Sequence, residues 1–382
     1  MISELIAKDV TALYGNVDDY GTYQVMGNLS LSYNVSVKEK SYTRLLDLDT
    51  GMYSTKFEDA MGETYTTTVF CSYTDQVCVY SLNSSTTLPE IAVKIENQFL
   101  NVSMAQSLCG AGFARLKGVT QVGPPEGMRY ESVAMVIGAD NTTICNNQTG
   151  VLIVPKLVGR RAISVVLEAG TNYDQSKGNA ANSFTFRGKD PGEHVRQVTD
   201  KAASKTISEL QERHLQDYQS LSRAFTLELP DPYNSLEVET TLLFERYNST
   251  SGNPFIESLL FDYSRHLLIS SSRENSLPAN LQGRWSSELS AAWSADYHAN
   301  INVQMNYWGA EQTGLGSDVQ EGLWRFMVDT WVPRGTETAR LLYGAPGWVT
   351  HSEMNIFGHT AMKNDAQWAN CKIPSPSPRL QY

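Results

Sequence analysis

The chain of 382 residues is poor in cysteine and histidine, with five of one and six of the other. No Cys-x-x-Cys pair and no His/Cys cluster at zinc spacing occurs, so no structural metal is expected. No run of 18 or more apolar residues is present, which excludes the sequence pattern of a membrane-spanning helix. Positive charge is in deficit: 30 Lys and Arg stand against 41 Asp and Glu, for a net charge of −11. A nucleic-acid or anionic-membrane partner asks for the reverse. The N-terminal "MISELIAKDVTALYGN" lacks a basic region followed by an apolar one, so no signal peptide is visible. Its Ile2, Leu5, Ile6, Val10 and Leu13 fall at helical spacing instead.

What is present begins with seven Asn-x-Ser/Thr sequons, at Asn28, Asn34, Asn83, Asn101, Asn141, Asn147 and Asn248. They lean toward a secreted, extracellular parent protein. The odd cysteine count leaves one thiol over, and Cys71 and Cys78, flanking "SYTDQV", could pair across two strands.

The length suggests two or more domains. From about residue 20 to 190 the pattern is β: "YTTTVFCSYTDQVCVYSL" and "RAISVVLEAGTNYD" are Thr/Val/Tyr-rich runs punctuated by Gly, Asn and Asp. A large antiparallel sandwich is expected. The period then lengthens: Val195, Val198, Ala202, Ile207, Leu210, Tyr218 and Leu221 recur at steps near three or four. Pro191 opens this amphipathic segment of one or two helices. After the proline-rich "TLELPDPYN", helical periodicity continues without strand-like alternation, and antiparallel helix pairs are expected. The pattern stops at Asn370, and "CKIPSPSPRLQY" cannot continue a helix.

One stretch carries chemistry. "NLQGRWSSELSAAWSADYHANINVQMNYWGAE" packs Trp285, Trp293, Trp308, Tyr297, Tyr307 and His298 among several asparagines. Asn300 and Asn302 are two apart, which on an extended backbone places both on one face with His298. Helical periodicity begins at Val303, so Asn302 stands at an expected N-cap. Asparagine offers both donors and acceptors to sugar hydroxyls, and aromatic faces cover the apolar side of a sugar ring. The alternative is structural: aromatic side chains in the core, Asn302 as a cap and His298 as a satisfied buried histidine.

"SLPANLQGRW", "DYHANINVQMNYWGAE" and "LLYGAPGWVTHSEMNIFGHTAMKNDAQWAN" resemble glycoside hydrolase family 95, and within it the fungal-type α-L-fucosidases. "YQVMGNLSLSY", "RLLDLDTG", "EAGTNYD" and "HLQDYQSLSRAFTLEL" resemble the β domain and linker of the same family. The resemblance implies a multidomain β + α chain: an N-terminal antiparallel β super-sandwich over residues 1–190, lacking its first strands, then a helical linker over 191–235. The first part of an (α/α)6 barrel follows over 236–370, with residues 371–382 a tail foreign to the family. It implies hydrolysis of terminal α-1,2-linked L-fucose with inversion, on a fucosylated oligosaccharide or cell-wall glycan, without a cofactor. Asn300 and Asn302 match the family's water-holding asparagines and His298 its motif histidine. Glu353 and Trp368 match positions lining the fucose subsite, with Trp308 beside the motif and His351 a further candidate.

The sequence departs from the family in one respect. The general-acid glutamate and the helper aspartate have no counterpart before Tyr382; Asp296, Glu311, Glu353 and Asp365 do not match them. At about 11–12 residues per helix plus loops, the residues after Leu236 hold about half of a twelve-helix barrel. The expectation is a chain truncated at both ends and itself inactive, with apolar barrel faces left in water. Two alternatives stand beside a fucosidase: an α-L-galactosidase, since a hydrophobic pocket rejects one added hydroxyl weakly, and a non-catalytic glycan-binding or structural product.

Overall fold

The structure is a computed structural model; it describes residues 14–15, 23–38, 41–97, 104–138, 142–280, 283–289, 291–299, 301–351, 353–359 and 362–363. The described residues fall into two compact units, one within Val25–Tyr218 and the other within Met1–Gln24 and Gln219–Tyr382.

Among its described residues the first unit carries twelve strands: β1 (Asn28–Tyr33), β2 (Thr43–Asp47), β3 (Met52–Glu58), β4 (Thr64–Ser72), β5 (Val77–Ser84), β6 (Ile91–Glu96), β7 (Ala105–Gly110), β8 (Phe113–Val119), β9 (Arg129–Ile137), β10 (Ile144–Asn146), β11 (Val151–Val154) and β12 (Ala162–Thr171). Eight form an antiparallel sheet in the order β2-β3-β4-β5-β12-β9-β8-β7, and four form a second in the order β10-β11-β6-β1. The expected sandwich is present, and period-two alternation explains its core. Leu82, Ile163 and Val165 face Ile91, Val93 and Leu152 in one cluster. Val77, Val79 and Val166, of opposite parity, build a second cluster with Phe70, Ala202 and Leu210. The large sheet is therefore covered on both faces, by the small sheet and by helices.

Those helices are α1 (Gly192–Ala203), with Pro191 at its N-cap, and α2 (Ile207–Ser222). Thr206 and Glu209 start α2 with a reciprocal cap: the Thr206 N–H donates to Glu209 at 2.7 Å and the Glu209 N–H donates to the Thr206 hydroxyl at 3.2 Å. The turn of the "RLLDLDTG" motif docks on α2, where His214 Nε2 lies 2.8 Å from the Thr50 carbonyl and the Tyr218 hydroxyl donates to the Leu48 carbonyl at 3.1 Å. Gly51 has φ +64°, and a Cβ there would sit 2.8 Å from the Tyr218 ring, so only glycine fits. Two disulfides close the unit. Cys71–Cys78 joins neighbours on β4 and β5, as the flanked turn suggested, and Cys109–Cys145 joins β7 to β10.

The second unit is helical: α3 (Thr240–Arg246), α4 (Pro254–Ser271), α5 (Asn302–Tyr307), α6 (Gly316–Phe326) and α7 (Val332–Thr338). Asn253 caps α4 by accepting from the Phe255 and Ile256 N–H groups, with Pro254 in the first turn. Buried Arg265 projects from α4 and donates to the carbonyls of Leu221, Ser222, Phe225 and Thr313. It ties off the end of α2, whose last carbonyls have no intrahelical partner. The helical run from Gly316 to Tyr343 includes five-residue π-helical stretches at Met327–Trp331 and Ala339–Tyr343. The first precedes Pro333, whose missing N–H interrupts the regular ladder. Among the described residues no helix is long and apolar enough to cross a membrane.

Candidate active site

A feature absent from the helical periodicity organises the site. Tyr297–His298 forms a two-residue antiparallel ladder with Glu353–Met354, pairing Tyr297 with Met354 and His298 with Glu353. So short a ladder leaves no alternation to read. Directly opposed residues share a face of a ladder. Tyr297 and Met354 enter a core with Ala279, Val303, Phe326 and Trp331, while His298 and Glu353 share the other face.

Asp296, two residues before His298, completes a polar cluster. Its Oδ1 lies 2.8 Å from His298 Nδ1. The donor atoms of Asp296, His298 and Glu353 all lie within 4.8 Å of one another, and the three residues are only 2%, 6% and 6% exposed. Two carboxylates and one imidazole are costly to bury unless they meet polar partners or a cation. This donor set can hold sugar hydroxyls, and it is also a chemically reasonable set for a divalent cation. Sequence reasoning weighed Asp296 only as a match for the family's acid or aspartate and set it aside. The usable signal was the i, i+2 spacing of Asp296 and His298, the rule applied above to the asparagines.

The ladder's other face supports this cluster. The Tyr297 hydroxyl lies 3.0 Å from that of Tyr23 and donates to the Pro278 carbonyl at 3.2 Å. The Tyr307 hydroxyl accepts from the Ala279 N–H at 2.8 Å and meets Ser272 Oγ at 2.7 Å. Burial pushes the Tyr23 hydroxyl up to about 12, Tyr297 well above the usual phenol range and Tyr307 upward. All three stay protonated at neutral pH and serve as scaffold.

Asn302 opens α5 and does not cap it. Ile301 holds the N-cap position at φ 138°, ψ −27°, with no side-chain cap bond. A β-branched residue there is strained, a condition that concentrates at functional sites. The chain thus turns before Asn302, which leaves the extended run and enters the helix. Its side chain is half-buried and makes no hydrogen bond among the described residues. Asn300 and Trp368 lie outside the described residues.

The aromatic residues of the segment divide. Tyr297 and Tyr307 belong to the core, as the structural alternative held. Trp285, Trp293 and Trp308 are 67%, 48% and 59% exposed. Trp293 stands edge-on to His298 with ring centroids 6.0 Å apart. His351 Nε2 lies 2.9 Å from the Tyr343 hydroxyl, and half-buried His359 is held below the usual imidazole range by desolvation and then by Arg334 and His351.

A cleft of about 390 Å³ in the β unit is lined by Arg115, Lys117, Arg129, Glu126, Glu131 and Asp190. Its charges pair with one another, Arg115 with Glu131 at 2.6 Å and Arg129 with Glu126 at 2.7 Å, and its lining offers no convergent set of catalytic groups.

A β-sandwich followed by a helical unit that holds a buried carboxylate–imidazole cluster on a short ladder is the architecture expected of a glycoside hydrolase built from a sandwich and an (α/α)6 barrel. Similarity narrows the class. The model of the glycosyl hydrolase family 95 catalytic domain matches residues 206–375, and that of the glycosyl hydrolase family 65 N-terminal domain matches residues 2–176. The chain is 47% identical over 350 residues to a probable alpha-fucosidase A of Aspergillus oryzae, covering 91% of this chain and 48% of that protein. It is 48% identical over 367 residues to a probable alpha-fucosidase A of Aspergillus niger, covering 95% and 45%. A solved structure of a putative kojibiose phosphorylase from the human microbiome shares the fold, with a TM-score of 0.54 at 11% identity, over 88% of this chain and 42% of that one. The chain belongs to glycosyl hydrolase family 95. It spans about half the length of these curated relatives.

Proposed function

We propose that the whole protein is an exo-acting, inverting α-L-fucosidase that releases terminal α-1,2-linked L-fucose from a fucosylated oligosaccharide or cell-wall glycan outside the cell. The observation that carries this reading is the juxtaposition of Asp296, His298 and Glu353, buried together, the first two shortly before Asn302 in sequence, whose amide makes no hydrogen bond among the described residues. An amide does not take a proton at neutral pH, but its carbonyl oxygen can orient and polarise a water. Asn302, with Asn300, holds that water. His298 and Glu353 bind hydroxyls of the sugar, and Trp308 and Trp368 cover its apolar side. Inversion needs a carboxylic acid opposite the water, roughly 6.5–9.5 Å from the group that serves as base. The family's acid and helper aspartate have no match among these 382 residues, so this stretch alone is expected to bind fucose and turn it over slowly. Loss of acid catalysis costs on the order of 10²–10⁴ in rate.

The test assays the full-length protein and its Asn302→Ala variant on an α-1,2-fucosylated oligosaccharide and on its α-L-galactosyl counterpart. The variant is expected to lose about 10²–10³ in kcat with an unchanged melting temperature. Release of L-galactose without L-fucose, or full activity in the variant, rejects the assignment.

A further inference from the structure

Hydrolysis does not absorb the sequons. Five of their asparagines are described, Asn28, Asn34, Asn83, Asn147 and Asn248, and all five are exposed. Exposure is not universal for asparagine in this fold. Outside the sequons Asn172 and Asn355 are buried, Asn97, Asn182, Asn253, Asn280, Asn302 and Asn306 are half-buried, and Asn146, Asn179, Asn234 and Asn275 are exposed.

The amide nitrogens differ as well. Asn97 Nδ2 donates to the Tyr130 hydroxyl and Asn253 Nδ2 donates to Ser235 Oγ at 3.2 Å, so these nitrogens serve the fold. None of the five sequon nitrogens donates a hydrogen bond among the described residues. Where one of these amides is engaged it uses its oxygen: Asn248 Oδ1 accepts from the Thr250 N–H at 2.8 Å, within its own sequon.

Position adds a third regularity. In the four-stranded sheet β1 is one edge and β10 the other. Asn28 begins β1 and Asn34 directly follows it, while Asn147 directly follows β10. Edge strands present unpaired backbone groups that template aggregation, and bulky or charged groups are what blunts them. The two disulfides of the same unit belong to the oxidising compartments in which N-glycans are added.

We infer that Asn28, Asn34, Asn83, Asn147 and Asn248 are N-glycosylation sites, and that the glycans at Asn28, Asn34 and Asn147 guard both edges of the small sheet. The donor is a lipid-pyrophosphate-linked oligosaccharide. Each Nδ2 forms a C–N bond to the sugar's anomeric carbon, the C–O bond to pyrophosphate breaks, and the amide gives up one proton to a base of the transferring enzyme. The inference rests on the secretory part of the proposed function and is independent of fucose chemistry.

The protein purified from the organism that makes it is treated with peptide N-glycosidase in heavy-oxygen water, and its peptides are mapped by mass spectrometry. Thiol alkylation before and after reduction is read in parallel. Heavy-oxygen aspartate is expected at all five positions, and any bare sequon is struck from the assignment. Five bare sequons overturn it. If Cys71, Cys78, Cys109 and Cys145 then alkylate without reduction, the secretory reading falls with it; if they are paired, only the glycan assignment falls. For the edge role, the variant N28Q/N34Q/N147Q is expected to aggregate several-fold more than the parent at equal melting temperature. Equal aggregation overturns that role.

Discussion

The two units of the chain meet water differently. In the β unit both faces of the large sheet are covered, two disulfides brace the strands, and the exposed large apolar residues run from Val37, Tyr42, Leu45, Tyr53 and Met61 to Val122, Ile144, Val158 and Phe184, spread along the sequence. The helical unit buries Ile256 and Ile269 on α4, yet the same helix exposes Leu260, Tyr263 and Leu267. Met305, Trp308, Trp324, Val328 and Leu341 add to that exposed apolar surface. A helix apolar on two sides has a second surface to cover, and apolar groups concentrated on one unit mark where association occurs. One unit is closed on itself; the other leaves apolar surface open along α4 and at its tryptophans.

The largest expected effect separates the units by chemistry. Cys109→Ala with Cys145→Ala opens a covalent loop spanning 36 positions. In the chain-entropy picture such a loop is worth about 4 kcal/mol. Differential scanning calorimetry should show the β-unit transition falling by 10 °C or so while the helical transition stays in place. A matching fall in both would mean that the units unfold as one, and the contrast drawn above would fail.

Arg265→Ala tests the helical side. One guanidinium holds four carbonyls in a buried setting. Charge-assisted hydrogen bonds contribute about 1.5–3 kcal/mol each, and they do not add when one side chain makes them all. The helical transition is expected to lose about 3 kcal/mol, with the β unit unchanged. An undiminished helical transition would show that water replaces the cation without loss.

Arg265 also shows what a sequence conceals. The sandwich was legible because period-two alternation and Gly/Asn turns recur over its strands, and α1 and α2 because Val195, Ala202 and Leu210 fall at helical steps. Cys71–Cys78 was suggested by a short turn between flanking strands, whereas Cys109 and Cys145 lie far apart in sequence and nothing local joins them. At the site, "DYHANIN" located the polar residues without their geometry. The His298–Glu353 ladder depends on residues 55 positions apart, and the turn at Ile301 adopts a conformation that isoleucine rarely takes. Asp296, set aside as a family match, took its place in the cluster only once its burial and its distance to His298 were known. A buried arginine that caps a helix 43 residues upstream likewise follows from no periodicity.

The next effects are pH-dependent and opposite in sign within the β unit. Desolvation raises the Glu168 carboxyl from 4.5 to about 8. A group whose folded pKa lies above its unfolded value gives stability that is full below the unfolded value and is lost as pH rises through the folded one. Stability linked to Glu168 should therefore fall between about pH 4.5 and 8, and Glu168→Gln should raise the unfolding free energy at pH 8 by on the order of 2 kcal/mol after screening, and the melting temperature with it. Desolvation holds His214 below the usual imidazole range, against the raising effect of its bonds to the Thr50 and Cys71 backbones. Here the unfolded chain binds the proton first, so stability is lost as pH falls below the unfolded histidine value. His214→Gln should flatten the acid limb and leave the alkaline limb alone. Melting curves from pH 4 to 9 on both variants check the signs.

The smallest effect on stability tests the division inside the chemical segment. Tyr307 and Trp308 are neighbours, one in the core with its hydroxyl bonded to Ala279 and Ser272, the other more than half exposed. Tyr307→Phe leaves the Ala279 N–H and the Ser272 hydroxyl short of a buried partner, which costs about 1–3 kcal/mol. Trp308→Ala removes a ring that already faces water, and surface changes of that kind stay within about 0.5 kcal/mol. If the exposed indole is a platform for the sugar, Trp308→Ala should leave the melting temperature in place and weaken fucose binding, read by calorimetric titration, about tenfold. Stacking on an aromatic face is worth about 1–2 kcal/mol in comparable settings. A variant with unaltered affinity would return Trp308 to the class of scattered surface apolars. A variant that loses stability would show that the ring is packed against a surface and is not presented to a ligand.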